Sequence, residues 1–465
     1  MDEHRPGDEP VRVMPHGVAA GRGATALAAA VDEVVWYDRS AFITAACGPT
    51  IPGLTYRPRP RRTTGPAVGH DVRDRDSDSR SGGGGGGGRR RVSVTFAPED
   101  DGAARPWEDD PSAPLLAPPR PVADRAADKI NAVSIFRAAG VRTPPSVVLP
   151  AGATTVPDEV SRWSHDGAVV VQRAANNLIG RGTRLSRTSD ELAATLADWP
   201  GEPLKASRHV PGLPVTVSGC VGRDVTVVSG ISHQLVGIAE LGAGWGTHCG
   251  NQLLGEADVS PEVLSRCRQA CHAVGEQLRA RGFLGVFGID AVLDRDDRVW
   301  VIEINPRFQT VVSLLHAAET GQGLLPLLGV HVLANLTPLT PVLTTLEREP
   351  PVAPFSQLVV HFGEVGSAGR LPGTGCYRMA GPGVVRRVAD RSLSQLGPDE
   401  ALVWAHAAEG DQVEPGDEAV LVQFGRRVAT VEHPPRLTSD ARAWLDVLRP
   451  TARRSQPVAR QGHDR

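Results

Sequence analysis

The apolar positions of the chain change period several times between residues 128 and 310, and each change marks an element. In ADKINAVSIFRAAG, Ile130, Val133, Phe136 and Ala139 recur close to helical spacing, with Gly140 as the stop. TPPSVVLP then reads as extended, AVVVQRA (168–174) as a buried strand and NNLIGRGT as a polar, glycine-containing loop. SRTSDELAATLADW carries a Ser/Thr-x-x-Glu pattern at Thr188-Ser-Asp-Glu191, which predicts a capped helix. PLKASRHVPGLPVTVSGCV and RDVTVVSGISHQLVGIAEL alternate in the manner of strands. PEVLSRCRQACHAVGEQLRARG predicts a long amphipathic helix ended by Gly282, and FGIDAVLDRDDRVWVIEIN a hairpin that turns at Asp294-Arg-Asp-Asp297.

The end of that hairpin breaks the apolar pattern. After Val299-Trp-Val-Ile302 come Glu303, Asn305 and Arg307 on alternate positions. Strand residues two apart project to one face, so the three share a side if Pro306 does not end the strand. Asp290, on the preceding strand, comes beside Glu303 when the hairpin closes. Two carboxylates and an amide oxygen on rigid strands make a hard-oxygen site of the kind Mg²⁺ takes together with substrate phosphates. Arg307 adds a bidentate donor for phosphate or carboxylate oxygens. A lone glutamate here would read as a solvated strand end; the four-residue set in an apolar hairpin reads as a metal site.

On either side of this block, which spans 126–345, the pattern weakens. Residues 1–57 carry short apolar runs that predict a reduced α/β domain, to which the strand Val92–Phe96 also belongs. Residues 58–125 hold RPRPRRTTGP, a DVRDRDSDSR charge run and the glycines from Gly82 to Gly88, and read as linker or disordered insertion. From 351 to 450 the chain is turn-rich and strand-like. There GDQVEPGDEAVLVQF resembles a lipoyl-type barrel hairpin without the carrier lysine, which predicts a barrel-like β domain, followed by a disordered tail over 451–465.

The length of 465 residues fits about three domains. A net charge of -3 with 40% hydrophobic residues gives no case for nucleic acid or a membrane surface as partner. Neither a signal peptide nor a spanning segment is visible, and the 6 scattered cysteines, without a CxxC pair, suit a reduced cytoplasm. The basic residues are more informative: of 50, only Lys129 and Lys205 are lysine. In an arginine-rich chain a surviving lysine marks a place where a compact ammonium cannot be replaced by a planar fork.

Asp290…Glu303-Ile-Asn305-Pro-Arg307 resembles the metal-binding end of the ATP-grasp superfamily, and the likeness runs in order from about Asp128 to Leu336. It implies an ATP-grasp fold, α/β in class, with Lys129 on the nucleotide phosphates. AVVVQRAANNLIGRGT resembles the strand and flap that close over them, which assigns Gln172, Gly180, Arg181, Gly182 and Thr183 to ATP. SRHVPG resembles the hinge at the adenine base, assigning Arg208, His209 and Val210. Asp290, Glu303 and Asn305 would hold one or two Mg²⁺ (Mn²⁺ as the alternative ion), with Arg307 and Asn305 as catalytic groups. The flap strand of that family usually ends in lysine, where this chain has Gln172; Ser207 and Pro214 stand where acidic residues are common. Lys205 precedes Ser207 by two positions and is the candidate replacement for the lost ammonium, the plainer reading being a solvated strand lysine.

SHQLVGIAEL is similar to the biotin carboxylase branch, which assigns His233 and Gln234 to ribose or phosphate but puts Leu235 where that branch has a lysine. The resemblance as a whole is to peptide ligases of actinobacterial natural-product pathways. It implies an ATP-dependent enzyme that activates a carboxylate as an acyl-phosphate and joins it to an amine, acting on amino acids or peptides, with a homodimer allowed. The alternatives are a biotin-carboxylase-like carboxylase and a non-catalytic nucleotide-binding module. His248-Cys249 and Cys267…Cys271-His272 could be drawn as a metal cluster, but Cys267 and Cys271, four apart on the amphipathic helix, read more simply as small core residues, and the polar, glycine-rich Trp245–Asn251 reads as a substrate loop.

Overall fold

The computed structural model describes residues 17–38, 51, 55–60, 90–96, 110–174, 182–344 and 352–453. Gly180, Arg181 and the glycine run lie outside the described residues.

The strand-like stretches from both the central block and the C-terminal third join one antiparallel sheet of ten strands. Its order is Val299–Asn305, Gly285–Leu293, Leu213–Val221, Thr226–Val236, His248–Leu253, Ser356–His361, Glu418–Phe424, Glu400–Ala405, Gly375–Gly381, Val384–Arg387. Alternation divides its faces. Val215, Val217, Ile231, Phe287 and Ile289 pack with Val263, Cys267, Cys271 and Val274 of the helix Pro261–Arg279. Cys220, Val227 and Val286 point the other way, into the core shared with the helices Val312–Gly321 and Leu327–Leu336. The barrel-like C-terminal domain expected from the turn pattern does not stand apart among the described residues. Its strands are spent on extending the large sheet, Asn251 pairing with Gln357 and Gln357 with Gln423.

A second sheet of four strands, ordered Ser146–Leu149, Leu204–Arg208, Val169–Arg173, Thr183–Ser186, is backed on one face by the helices Asp158–Asp166 and Ser189–Asp198. Thr188 caps the second helix by accepting from the Glu191 N–H at 3.1 Å. Val169, Val171, Leu204 and Ala206 supply the apolar face, so Gln172, Lys205 and Ser207 project from the opposite one.

At the N-terminus, Glu33–Asp38 lies in parallel between Thr55–Pro60 and Arg91–Thr95, next to the helix Ala20–Ala30. The strand expected near Val92–Phe96 is Arg91–Thr95, and the range otherwise read as linker also holds the helix Arg120–Ala127. Likewise Ala452–Arg453, placed in the tail by composition, pairs with Ser367 and Ala368. Trp36 meets Phe308 edge-on at 5.4 Å, so the N-terminal layer packs against the segment that follows the metal-site hairpin.

Glu319, on the helix Val312–Gly321, accepts from Ser229 Oγ and, at 2.8 Å, from the Leu327 N–H, and burial pushes its carboxyl up from 4.5 to about 7. The folded state thus holds a proton that the unfolded chain has already released between those pH values. Stability should fall as pH rises through that window and level off above it. Replacing Glu319 with Gln should remove this component, so the variant's urea midpoint should gain on the wild type from pH 5 to pH 8. A difference that stays constant with pH would contradict the assignment.

Candidate active site

Three neighbouring strands of the large sheet put Thr216, Asp290 and Glu303 in one row. Between Asp290 and Ala291 the register slips, Asp290 facing Glu303 and Ala291 facing Val301, so Ile302 is the extra residue of a β-bulge. The bulge re-aims Glu303 relative to the plain alternation that precedes it. Asp290 is tied down completely: Oδ1 accepts from Thr216 Oγ1 at 2.8 Å and Gln309 Nε2 at 3.2 Å, and Oδ2 from Asn305 Nδ2 at 3.0 Å. Burial, and then the Glu303 charge, raise its pKa. Asn305 gives its N–H₂ to Asp290, so its Oδ1 is the atom left for a cation. Two facing carboxylates plus an amide oxygen fit a hard divalent ion by donor type. Gln309 was missed by sequence reasoning although it lies in the same motif. The signal was Gly288: a Cβ there would meet Gln309 Oε1 at 1.7 Å, so only glycine lets this amide lie across the strand.

The strand ends at Asn305, so alternation does not carry on to Arg307 as expected. Proline lacks the N–H that a ladder needs. Arg307 instead donates Nη1 to the Phe308 carbonyl at 3.0 Å and lies 5.8 Å from the centre of the Phe96 ring.

Both lysines of the chain come to this row. Lys129, buried at the start of the helical segment, bonds Glu303 Oε1 through Nζ at 3.1 Å, while its backbone N–H donates to the Ala174 carbonyl of the flap strand at 3.0 Å. Lys205 is 2% exposed, which overturns the reading of a solvated strand lysine. Its cross-strand partner is Gln172. Directly paired residues share a face, so Lys205 stands beside the position where an ammonium was expected. Burial lowers the Lys205 pKa to about 8, against the raising effect of Glu303 and together with the Lys129 charge. No carboxylate among the described residues lies within ion-pair distance of it. Ser207, two positions on, is buried, and its Oγ has no partner among the described residues. Gln172 Nε2 reaches Thr183 Oγ1 at 3.4 Å, and Gly182 accepts the Arg173 N–H at 2.9 Å. Arg173 itself pairs with Glu202.

At the hinge the N–H groups of Arg208 and His209 are already committed, to the carbonyls of Pro145 (3.0 Å) and Ala168 (2.9 Å). Arg208 is exposed, whereas His209 lies 6.3 Å from the Trp245 ring and is held below the ordinary histidine range by burial and by His433. The segment Trp245–Asn251 thus begins beside the hinge. His233 is fully buried, its Nδ1 3.3 Å from Gln252 Nε2, and burial takes it down to about 3. Gln234 is half-buried opposite Asn251, and Leu235 is core. The five described cysteines are free and buried, and no group of three or more His, Cys, Asp or Glu side chains among the described residues could hold a metal. No helix among them is long and apolar enough to cross a membrane.

Residues 126–311 match the family model described as the ATP-grasp domain. No curated protein matches the chain in sequence. Among solved structures, the ADP complex of N5-carboxyaminoimidazole ribonucleotide synthetase is similar at 10% identity and a TM-score of 0.52, over 90% of this chain and 97% of that one. Phosphoribosylamine–glycine ligase from Thermotoga maritima matches at 13% identity and 0.49, over 84% and 92%. The biotin carboxylase domain of Hydrogenobacter thermophilus 2-oxoglutarate carboxylase, with magnesium ADP and bicarbonate, matches at 13% and 0.49, over 88% and 84%. The first of these likenesses shows the fold: mixed α/β, ATP-grasp in type, with a large antiparallel sheet.

Because the chain has only two lysines, ε-carbon NMR of lysine-labelled protein should give two resonances. One, from Lys205, should titrate near 8 in the ligand-free protein, and Glu303→Gln should move that midpoint down because a stabilising anion is lost. Two midpoints at the ordinary lysine value near 10.4 would contradict the described geometry.

Proposed function

Since residues 126–311 are an ATP-grasp domain, we propose that the chain is an ATP-dependent ligase. It would convert a substrate carboxylate to an acyl-phosphate and join it to an amine, on amino acids or peptides. The observation that carries this reading is the meeting of two buried lysines with a facing carboxylate pair, between the two sheets. Such a cleft is matched to a polyphosphate whose charge a metal and ammonium groups share.

In this reading Lys129 and Lys205 take the phosphates, with Lys205 supplying what Gln172 cannot. Ser207 Oγ and the Gln172–Thr183 pair add polar contacts, with Gly182 beside them against the flap strand. Adenine sits at the hinge and is met by Val210, since the N–H groups of Arg208 and His209 are taken. Asp290, Glu303 and the Asn305 oxygen would hold Mg²⁺, or Mn²⁺, which when bound neutralises phosphate charge. Without a cation, Lys129 balances Glu303. Arg307 leaves its contact with Phe96 to reach the acyl-phosphate, and His233 and Gln234 stand as further candidates for ribose or phosphate. Leu235 in the core argues against carboxylase chemistry.

Incubation with Mg-ATP and pooled amino acids or dipeptides should release ADP and phosphate, at least about 100-fold less with Asp290→Asn. Tight ATP binding with no release in any pool would support a non-catalytic module instead. Lys205→Met should weaken ATP binding at least about tenfold, the scale of one hydrogen bond to a charged group. Adding Gln172→Lys, directly opposite, should restore it; equal affinities in all three proteins would remove Lys205 from the site.

A further inference from the structure

Asn251, Gln357 and Gln423 occupy directly paired positions on three neighbouring strands, and all three are buried. Amides are unusual at such positions unless each hydrogen bond is satisfied. Their orientations follow from one end. An indole N–H can only donate, so Trp404 Nε1, 3.1 Å from Gln423 Oε1, places that oxygen. Gln423 Nε2 must then face Gln357 Oε1 at 3.2 Å and Ser313 Oγ at 2.6 Å. Gln357 Nε2 in turn faces Asn251 Oδ1 at 3.4 Å, and Asn251 Nδ2 reaches Ser232 Oγ at 3.1 Å. Asn251 Oδ1 is an acceptor and lies 2.9 Å from His248 Nε2. That nitrogen therefore carries the proton, which leaves His248 Nδ1 with its lone pair. The ring is half-buried and Nδ1 has no partner among the described residues.

His248 opens the strand that follows Trp245, whose ring lies 6.3 Å from that of His209 at the hinge, and its charge is among those acting on Asp290. It also acts on Glu418 and His361, which are paired with each other on adjacent strands, and Glu418 in addition accepts from His406 Nδ1 at 3.0 Å. Asp290, Glu418 and His361 are thus coupled to its charge, and His406 stands behind Glu418.

We propose that His248 takes the proton from the attacking amine, with its base nitrogen selected by the amide relay that begins at Trp404. The inference rests on the ligase reading. An ammonium R–NH₃⁺ has no lone pair. Transfer of one proton to His248 Nδ1 gives R–NH₂ and an imidazolium. The nitrogen pair then forms the C–N bond to the acyl carbon, the C–O bond to phosphate breaks, and phosphate leaves with that electron pair and the second nitrogen proton. His248 returns its proton to solvent. Trp404, Gln423, Gln357 and Asn251 are positioning residues in this scheme.

The test compares two acceptors with pooled amino acids and Mg-ATP. Hydroxylamine is already neutral at pH 7 and traps the acyl-phosphate as a hydroxamate without a base, whereas the amino acids themselves must be deprotonated. His248→Gln should slow amide formation about 100-fold more than hydroxamate formation, and the gap should narrow about tenfold per pH unit until the amine loses its own proton. Trp404→Phe should shift the pH profile of amide formation and leave the hydroxamate rate within about twofold. In ¹⁵N-histidine spectra, the signals lost in His248→Gln should be those of an Nε2–H tautomer. Equal slowing of both products, a gap that does not change with pH, or an Nδ1–H tautomer would each overturn the proposal. If the wild type makes no hydroxamate from any pool, the ligase reading itself fails and the role of His248 falls with it.

Discussion

The two lysines of this chain are buried on different elements and both feel one carboxylate, Glu303, in a protein interior that would ordinarily exclude them. Lys129 bonds Glu303 at 3.1 Å, and Lys205, fixed on the four-stranded sheet, is close enough for Glu303 to hold its charge against the cost of burial. Removing charge from water costs several kcal/mol per ion unless partners replace the solvent. Two ammonium groups and the facing carboxylates Asp290 and Glu303 are gathered at one place. In the proposed reading the ammonium groups take phosphate oxygens and the carboxylates take a cation, so each charge of the cluster has a counterpart on the ligand.

The rest of the architecture keeps this cluster in register. On the large sheet, the row Thr216–Asp290–Glu303 is pinned by Gln309 and Asn305, and the bulge at Ile302 sets the direction of Glu303. On the small sheet, the direct pairing of Lys205 with Gln172 lets the ammonium move across a strand pair without leaving the face. The C-terminal strands bring the buried amides Gln357 and Gln423 into line with Asn251, so that a part of the chain distant in sequence joins the hydrogen-bonded row that ends at His248.

Local pattern carried much of this and failed where the structure is non-local. Helical spacing with Gly140 and Gly282 as stops, and the alternation through Val299–Asn305, were readable because period and turn chemistry are properties of short windows. The site motif was readable for the same reason, except that Pro306 ended the strand before Arg307 and the bulge at Ile302 left no compositional mark. Lys205 stood out only because lysine is so rare here; its pairing with Gln172 depends on strand register, which the sequence between them does not encode. The extension of the sheet by residues 356–424 was hidden because partners more than a hundred residues apart share no local signal. The turn-rich pattern there fitted a barrel hairpin equally well. Gln309 was hidden in plain view, since its role depends on the bare backbone at Gly288.

Covalent capture tests the phosphate clamp most directly. An ATP analogue bearing an acyl group on its γ-phosphate transfers that group to an amine within reach, and this chain offers only Lys129 and Lys205 besides its N-terminus. Peptide mapping by mass spectrometry should find the acyl group on Lys205, prevented by free ATP but not by adenosine. An unlabelled Lys205, or labelling that persists under saturating ATP, would contradict a phosphate site built on that residue.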